Sequence, residues 1–323
     1  MYDCFMEKFV YQLFITGTGK NLDSALKKGL GGVIYFTRDI QTKEQFQKMI
    51  NAHKNQALVS LFLSIDQEGG RVERTENMHE RYLSPRIAYS KGEEFLKTQT
   101  EDIAQELKEY GINLNFAPCA DVNTNPNNPI IGERAFSDKT SDVINGVSIV
   151  TKIYRKNGIV PCIKHYPGHG DADKDSHLTL PQIDLPMNVM ERVHIEPFKS
   201  AVNDGIEMIM AAHLHCTCFD KEVMPSSLSK NAIGYLRNKL NYDGVIISDD
   251  MVMKGVQAYG SADACVIGIK AGLDMFIFRD CDDKTIDTIN TLVKIVEKDE
   301  ELRQKVIMSN ERIKRLKEKF NIL

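Results

Sequence analysis

The chain has 323 residues, enough for one large domain or two ordinary ones, and its 42% hydrophobic content suffices for a substantial core. Its 41 basic and 45 acidic residues are well mixed and leave a net charge of −4, which argues against nucleic acid or another polyanion as a partner. No apolar run approaches the ~20 residues of a membrane span. Residues 1–10 lack the basic region and cleavage site of an export signal. Seven cysteines, an odd number in a chain this long, fit reduced thiols and a cytoplasmic location better than a disulfide framework.

Short apolar segments alternate with longer helical patterns. The first predicted strand, 11–16, precedes a short helix that Asn21 caps and Gly29, Gly31 and Gly32 end. The second strand, 32–36, runs into Thr37, Arg38 and Asp39, and Thr42 caps a helix over 42–52. The third, 61–65, stops at Asp66. There Asp66-Gln67-Glu68-Gly69-Gly70-Arg71-Val72-Glu73-Arg74 opens an irregular stretch to about Gly92, of a length that is usually functional or disordered. A helix over 94–110 leads to a fourth strand, 112–117, and then to an Asn- and Pro-rich stretch holding Gly132-Glu133-Arg134. A helix over 141–156 precedes the fifth strand, 159–163, and a helix over 194–203 precedes the sixth, 207–212, which ends in His213. A helix over 227–240, started by Ser227-Leu228-Ser229, leads to the seventh strand, 244–247, and Ser248-Asp249-Asp250. A helix over 262–271 closed by Gly272, an eighth strand over 274–278 and amphipathic helices over 283–320 complete the chain.

Eight β/α alternations predict the α/β class and a single-domain (β/α)8 TIM-type barrel over residues 1–323, with no second domain. A doubly wound open sheet is the alternative; the absence of Gly-x-Gly-x-x-Gly after the first strand weakens it. In a barrel the strand ends converge on one rim, and they carry Asp66, Lys164 with His165, His213 and Asp249.

The densest chemistry lies over residues 164–177, which hold three of the chain's eight histidines. The fifth strand delivers Lys164 and His165 at its end, and Pro167, Gly168 and Gly170 then demand a shaped loop rather than a helix. The run Lys164-His165-Tyr166-Pro167-Gly168-His169-Gly170, leading to Asp175-Ser176-His177, resembles the signature loop of family 3 glycoside hydrolases. The likeness is to their bacterial β-N-acetylglucosaminidase branch, with Tyr166 where Phe is usual. The stretches 66–74 and 131–136 follow the family pattern too, with Ala135 where Ser is common.

The resemblance implies an exo-acting retaining enzyme that removes terminal N-acetylglucosamine from cell-wall-derived muropeptides in the cytoplasm, with no cofactor and no metal. It implies Asp249 as the nucleophile that forms a glycosyl-enzyme ester; an isolated Ser-Asp-Asp would read instead as a helix cap. It implies His177 as general acid and base, oriented by Asp175 at a spacing that lets a carboxylate reach an imidazole. An unpaired surface histidine is the plainer reading of His177 taken by itself. Asp66, Arg74, Arg134, Lys164 and His165 match the family's sugar-binding positions, where charged groups hold vicinal hydroxyls. Arg71 reads equally as structural, His169 as shaping its loop, and His213 as lining the site or as a satisfied buried ring.

One segment departs from the pattern. His213-Leu214-His215-Cys216-Thr217-Cys218 has the residue types of a zinc site, although its Cys-x-Cys spacing is tighter than usual, so a metal-dependent hydrolase is a rival. A phosphorylase is another, because a neutral histidine would not repel incoming phosphate. A β-glucosidase on the same fold is a third. The expected partner is a small carbohydrate, an N-acetylglucosamine-containing muropeptide or chito-oligosaccharide.

Overall fold

The computed structural model describes residues 2–172 and 180–323. Asp175 and His177 lie outside the described residues. Eight parallel strands close a barrel: β1 (Phe14–Thr16), β2 (Gly32–Tyr35), β3 (Phe62–Ile65), β4 (Leu114–Asn115), β5 (Val160–Tyr166), β6 (Met208–Ala211), β7 (Val245–Asp250) and β8 (Met275–Phe278). Each strand pairs with its sequence neighbours, and Phe14 stands opposite Phe276 where β1 meets β8 and shuts the ring. All seven residues of β5 are buried, the pattern of a parallel strand covered on both faces. The (β/α)8 expectation is met, and the open sheet is excluded by the closure.

Several local features follow from the residues the sequence supplies. Thr42 caps the helix Lys43–Gln56 by accepting the Gln45 N–H at 3.2 Å. Ser229 does the same for Lys230–Gly234 through the Ala232 N–H at 2.9 Å. Gly272 ends Ser261–Ala271 in the left-handed conformation that suits glycine. Asn21 makes no cap bond; its amide donates to Asp283 Oδ1 at 2.9 Å instead.

The start of the chain differs from the sequence reading. Tyr11 closes a helix, Tyr2–Tyr11, and β1 begins only at Phe14. The apolar residues Val10 and Tyr11 are buried against the terminal helices, not in the sheet: Tyr11 Oη donates to Asn290 Oδ1 at 2.9 Å, and Asn310 donates to the Phe9 carbonyl at 2.9 Å. A further short helix, Pro85–Ser90, interrupts the stretch read as irregular.

The helix Glu300–Lys319 covers the end of the barrel away from the site. Its Lys317 amine donates to the carbonyls of Ser60 (2.6 Å) and Gly31 (3.4 Å), which precede β3 and β2, and sits 4.8 Å from the Phe62 ring centroid. Among the described residues, no helix is long and apolar enough to cross a membrane.

Candidate active site

The C-terminal rim is built by side chains that replace the ladder where it ends. β4 is only two residues long, and its Asn115 takes over: Oδ1 accepts the Gln67 N–H at 2.9 Å and Nδ2 donates to the Gln67 carbonyl at 2.8 Å. Gln67 in turn accepts the Arg74 N–H on its side-chain oxygen at 2.8 Å and donates its amide to Glu73. This fixes both ends of the loop carrying Asp66 and Arg74. Arg71 ties that loop to the next one by donating to the carbonyls of Pro129 (2.9 Å) and Ile130.

The loop after β5 is shaped by contacts that only glycine admits. A Cβ on Gly170 would lie 1.8 Å from the Val122 carbonyl oxygen, and Gly168 has φ +123° with the His194 side chain 2.7 Å from where a Cβ would be. The Lys164–His165 and Tyr166–Pro167 peptides are cis.

These loops bring an ionic network together. Lys164 Nζ donates to Asp66 Oδ1 at 2.7 Å and lies 2.6 Å from Glu68 Oε1. Arg134 grips Glu68 with two parallel bonds, Nε to Oε2 at 2.9 Å and Nη2 to Oε1 at 2.8 Å, and also donates to His165 Nε2 at 3.3 Å. His165 donates from Nδ1 to Asp121 Oδ2 at 2.7 Å. Asp121 Oδ1 collects the His169 N–H at 2.6 Å. Burial opposes the charge on Glu68, but Arg134 and Lys164 outweigh it and hold its carboxyl well below the usual range. Burial likewise opposes the charge on Asp121, and His165 and His169 overcome it. Asp66 stands at the edge of the network, with Arg74 3.8 Å from its Oδ2.

Across the barrel, β7 ends in two carboxylates in different circumstances. Asp249 is half-buried, and burial opposes its charge, yet His165, His213 and the Asp250 N–H lower its pKa. Asp250 is buried and ion-paired with Arg279, and burial raises its pKa despite that partner. His213 lies beneath this turn: Ser227 Oγ–H donates to its Nδ1 at 2.7 Å, and its Nε2–H donates to the Asp250 carbonyl at 3.2 Å. Burial lowers its pKa, so it is a satisfied neutral ring.

A cavity of about 420 Å³ opens at this rim, with Phe36, Asp66, Arg74, Met210, Asp249 and Arg279 among its walls. Of the residues picked out from sequence, Asp66, Arg74 and Asp249 face it. Lys164, His165 and Arg134 stand in the network behind Asp66, and His169 shapes the loop through its backbone. Sequence reasoning gave no role to Glu68, Asp121 or Arg279. Glu68 lay in plain view within the quoted 66–74 run, but its partners, Arg134 and Lys164, lie far away in the chain.

The segment over residues 213–218 does not assemble as a zinc site. His213 Nδ1 is taken by Ser227, and His215 Nδ1 accepts the Met224 N–H at 3.3 Å. Among the described residues, the metal-type donors gathered within 4.8 Å of one another are instead Cys119, Asp121 and His165. The Cys119 thiol there donates to Asp121 at 3.1 Å.

A closed parallel barrel that gathers carboxylates and cations around a cavity at its C-terminal rim has the arrangement of a (β/α)8 barrel enzyme. Residues 7–316 match the family model described as the glycosyl hydrolase family 3 N-terminal domain. The chain belongs to family 3 of the glycoside hydrolases. It is 32% identical over 269 residues to β-hexosaminidase A of Pseudoalteromonas piscicida, covering 76% of this chain and 45% of that protein. It is 32% identical over 262 residues to the β-hexosaminidase of Neisseria gonorrhoeae, covering 78% of this chain and 72% of that one. The structure of a family 3 β-N-acetylglucosaminidase from Paenibacillus sp. str. FPU-7 superposes with a TM-score of 0.92 at 29% identity, covering 98% of this chain and 62% of that chain. The chain thus spans about half to two thirds of the first and third of these proteins.

Proposed function

We propose that the chain is an exo-acting, retaining β-N-acetylglucosaminidase. The observation that carries this reading is Asp249: a carboxylate whose pKa is lowered, at the end of a barrel strand, on the wall of the rim cavity that also presents Asp66 and Arg74. In the first step the Asp249 carboxylate attacks the anomeric carbon. The glycosidic C–O bond breaks, and His177 gives its proton to the leaving oxygen. In the second step His177 takes a proton from water, water attacks the anomeric carbon, and Asp249 leaves with the configuration retained. Asp175 orients His177. Asp66, Arg74 and Lys164 hold the sugar hydroxyls, with Arg134 and His165 keeping that set rigid. The name of the Paenibacillus structure, a β-N-acetylglucosaminidase, supports N-acetylglucosamine as the sugar, and the β-hexosaminidase names of the other two relatives agree with a hexosamine. Muropeptide fragments are the proposed natural substrate and the cytoplasm the proposed location.

The test is incubation with 4-nitrophenyl N-acetyl-β-glucosaminide, with and without phosphate, and identification of the sugar released. Free N-acetylglucosamine in both supports the hydrolase. Sugar 1-phosphate would reassign the enzyme as a phosphorylase, and turnover of the matching glucoside alone would reassign its specificity. Trapping with a slowly released fluorosugar, followed by peptide mass mapping, should place the adduct on Asp249.

A further inference from the structure

The rim cavity is uneven along its depth. Four charged side chains on its walls are exposed in rising order: Asp66 by 18%, Arg74 by 27%, Arg279 by 44% and Arg38 by 51%. Beside Asp66 lie the buried Lys164 and Glu68. The cavity is thus closed at the Asp66–Lys164 cluster and open where the loops after β2 and β8 bring Arg38 and Arg279. An exo-acting enzyme takes its terminal sugar into the closed part, so the leaving group stands in the open part. There it meets two arginines that neither attack nor hold the terminal sugar.

Both guanidinium groups are fixed on one side and free on the other. Asp250 holds Arg279 twice: Oδ1 accepts its backbone N–H at 3.3 Å and Oδ2 accepts its Nε–H. Among the described residues, Nη1 and Nη2 of Arg279 have no acceptor. Arg38 donates from Nη2 to the Arg279 carbonyl at 2.9 Å and to Asp280 Oδ1 at 2.5 Å, which ties the two loops together at the mouth. Its guanidinium lies 5.2 Å from the Phe36 ring centroid, and its Nε and Nη1 have no acceptor among the described residues. Asp250 and Asp280 balance the two positive charges. What the mouth offers is therefore a set of N–H donors already held in place, in the planar fork that matches a carboxylate.

We propose that Arg279 and Arg38 form a leaving-group subsite that selects a carboxylate on the sugar next to the cleaved bond. The proposal rests on the hexosaminidase reading of the site. Nη1 and Nη2 of Arg279 donate to the carboxylate oxygens, and Arg38 adds a donor from the neighbouring loop. A lactyl carboxylate is what distinguishes N-acetylmuramic acid from N-acetylglucosamine, so this subsite sets the choice between cell-wall fragments and chito-oligosaccharides.

The experiment compares two disaccharides: N-acetylglucosamine β-1,4-linked to N-acetylmuramic acid, and the same compound with its lactyl carboxyl converted to the primary amide. The wild-type protein should favour the acid by about fivefold or more in kcat/KM, mostly through KM. Arg279→Gln and Arg38→Gln should each reduce that ratio, and the double variant should bring it to about one. Arg279→Lys, which keeps the charge and loses the fork, should keep part of it. The amide is the internal reference: a variant that only disturbs the rim slows both substrates alike and leaves the ratio standing. Added salt should narrow the wild-type ratio, because the pair is exposed. Equal rates on acid and amide in the wild type, a ratio that salt does not move, or an unchanged ratio in both Gln variants overturns the subsite alone. No turnover of either disaccharide or of 4-nitrophenyl N-acetyl-β-glucosaminide overturns the hexosaminidase reading and the subsite with it.

Discussion

Asp250 donates its backbone N–H to Oδ1 of Asp249 at 2.7 Å, while its own carboxylate is taken up by Arg279. The two adjacent acids are thereby pushed apart: Asp249 is lowered by surrounding positive charge and N–H donation, and Asp250 is raised by burial. The one that keeps its charge facing the cavity is the one suited to attack.

Replacing that acid separates the two roles. Asp249→Ala should lower kcat by about a thousandfold or more on every substrate, with the fold intact by circular dichroism. Added azide should restore part of the rate and yield the glycosyl azide of inverted configuration. Asp250→Asn keeps the backbone donor and should cost far less. Near-native turnover by Asp249→Ala would remove it as the nucleophile.

Glu68 is the keystone of the opposite wall, holding Arg134 with two bonds and Lys164 with one. Glu68→Gln leaves two buried cations short of a counter-charge, a loss on the order of 3–5 kcal/mol for breaking such a cluster. Urea denaturation should show a lower midpoint at an unchanged slope. Activity should fall as well, because Lys164 also holds Asp66.

The same cluster sets an acid limit. Glu68 and Asp121 have folded pKa values depressed below those of the open chain. Depressed acids contribute stability that is fully present above the unfolded carboxylate pKa of about 4 and is lost as pH falls toward the folded values. Stability should therefore drop from about pH 4 downward, and Glu68→Gln should flatten that limb. An equal acid slope in both proteins would show that the cluster is not its source.

At the far end of the barrel a buried base gives a second dependence in the same direction, there as a cost that is relieved when pH rises. Burial lowers the Lys317 amine to about 7, against about 10.4 in an open chain. Between those values the unfolded chain binds a proton that the folded one does not, so stability gains from this group as pH rises from 7 toward 10. Below pH 7 the folded protein carries the full cost of a buried ammonium, eased by the Ser60 and Gly31 carbonyls and the Phe62 ring. Lys317→Met should stabilise the protein at pH 6, by roughly 1–3 kcal/mol, and by less at pH 9.5. Thermal denaturation at the two pH values reads the difference directly.

The barrel was legible because strand and helix patterns alternate eight times, and the rim was legible because Asp66, Lys164 and Asp249 each follow an apolar run. The first strand was begun too early because Tyr11 is apolar for a different reason: it closes a helix that packs against the terminal helices. Glu68 and Asp121 carried no signal of their own. Their meaning depends on Arg134 and His165, 66 and 44 positions away, and a carboxylate in a polar loop looks the same whether it is solvated or clamped. Asp250 is the converse case. The resemblance set it aside as nucleophile, and Arg279, beyond the last strand, supplies a physical reason.

Leaving-group chemistry tests the proposed proton donor directly. A substrate with a good leaving group, such as a dinitrophenyl glycoside, departs with little protonation, whereas an alkyl or sugar aglycone departs only as the neutral alcohol. His177→Ala should therefore cost roughly tenfold or less in kcat/KM on the first and about a thousandfold on the second. The alkaline limb of the wild-type pH profile on poor leaving groups should disappear with it. Asp175→Asn should shift that limb to lower pH, because the carboxylate that raises the ring's proton affinity is gone. A uniform loss across leaving groups would assign His177 to binding and leave the acid to be found elsewhere on the rim.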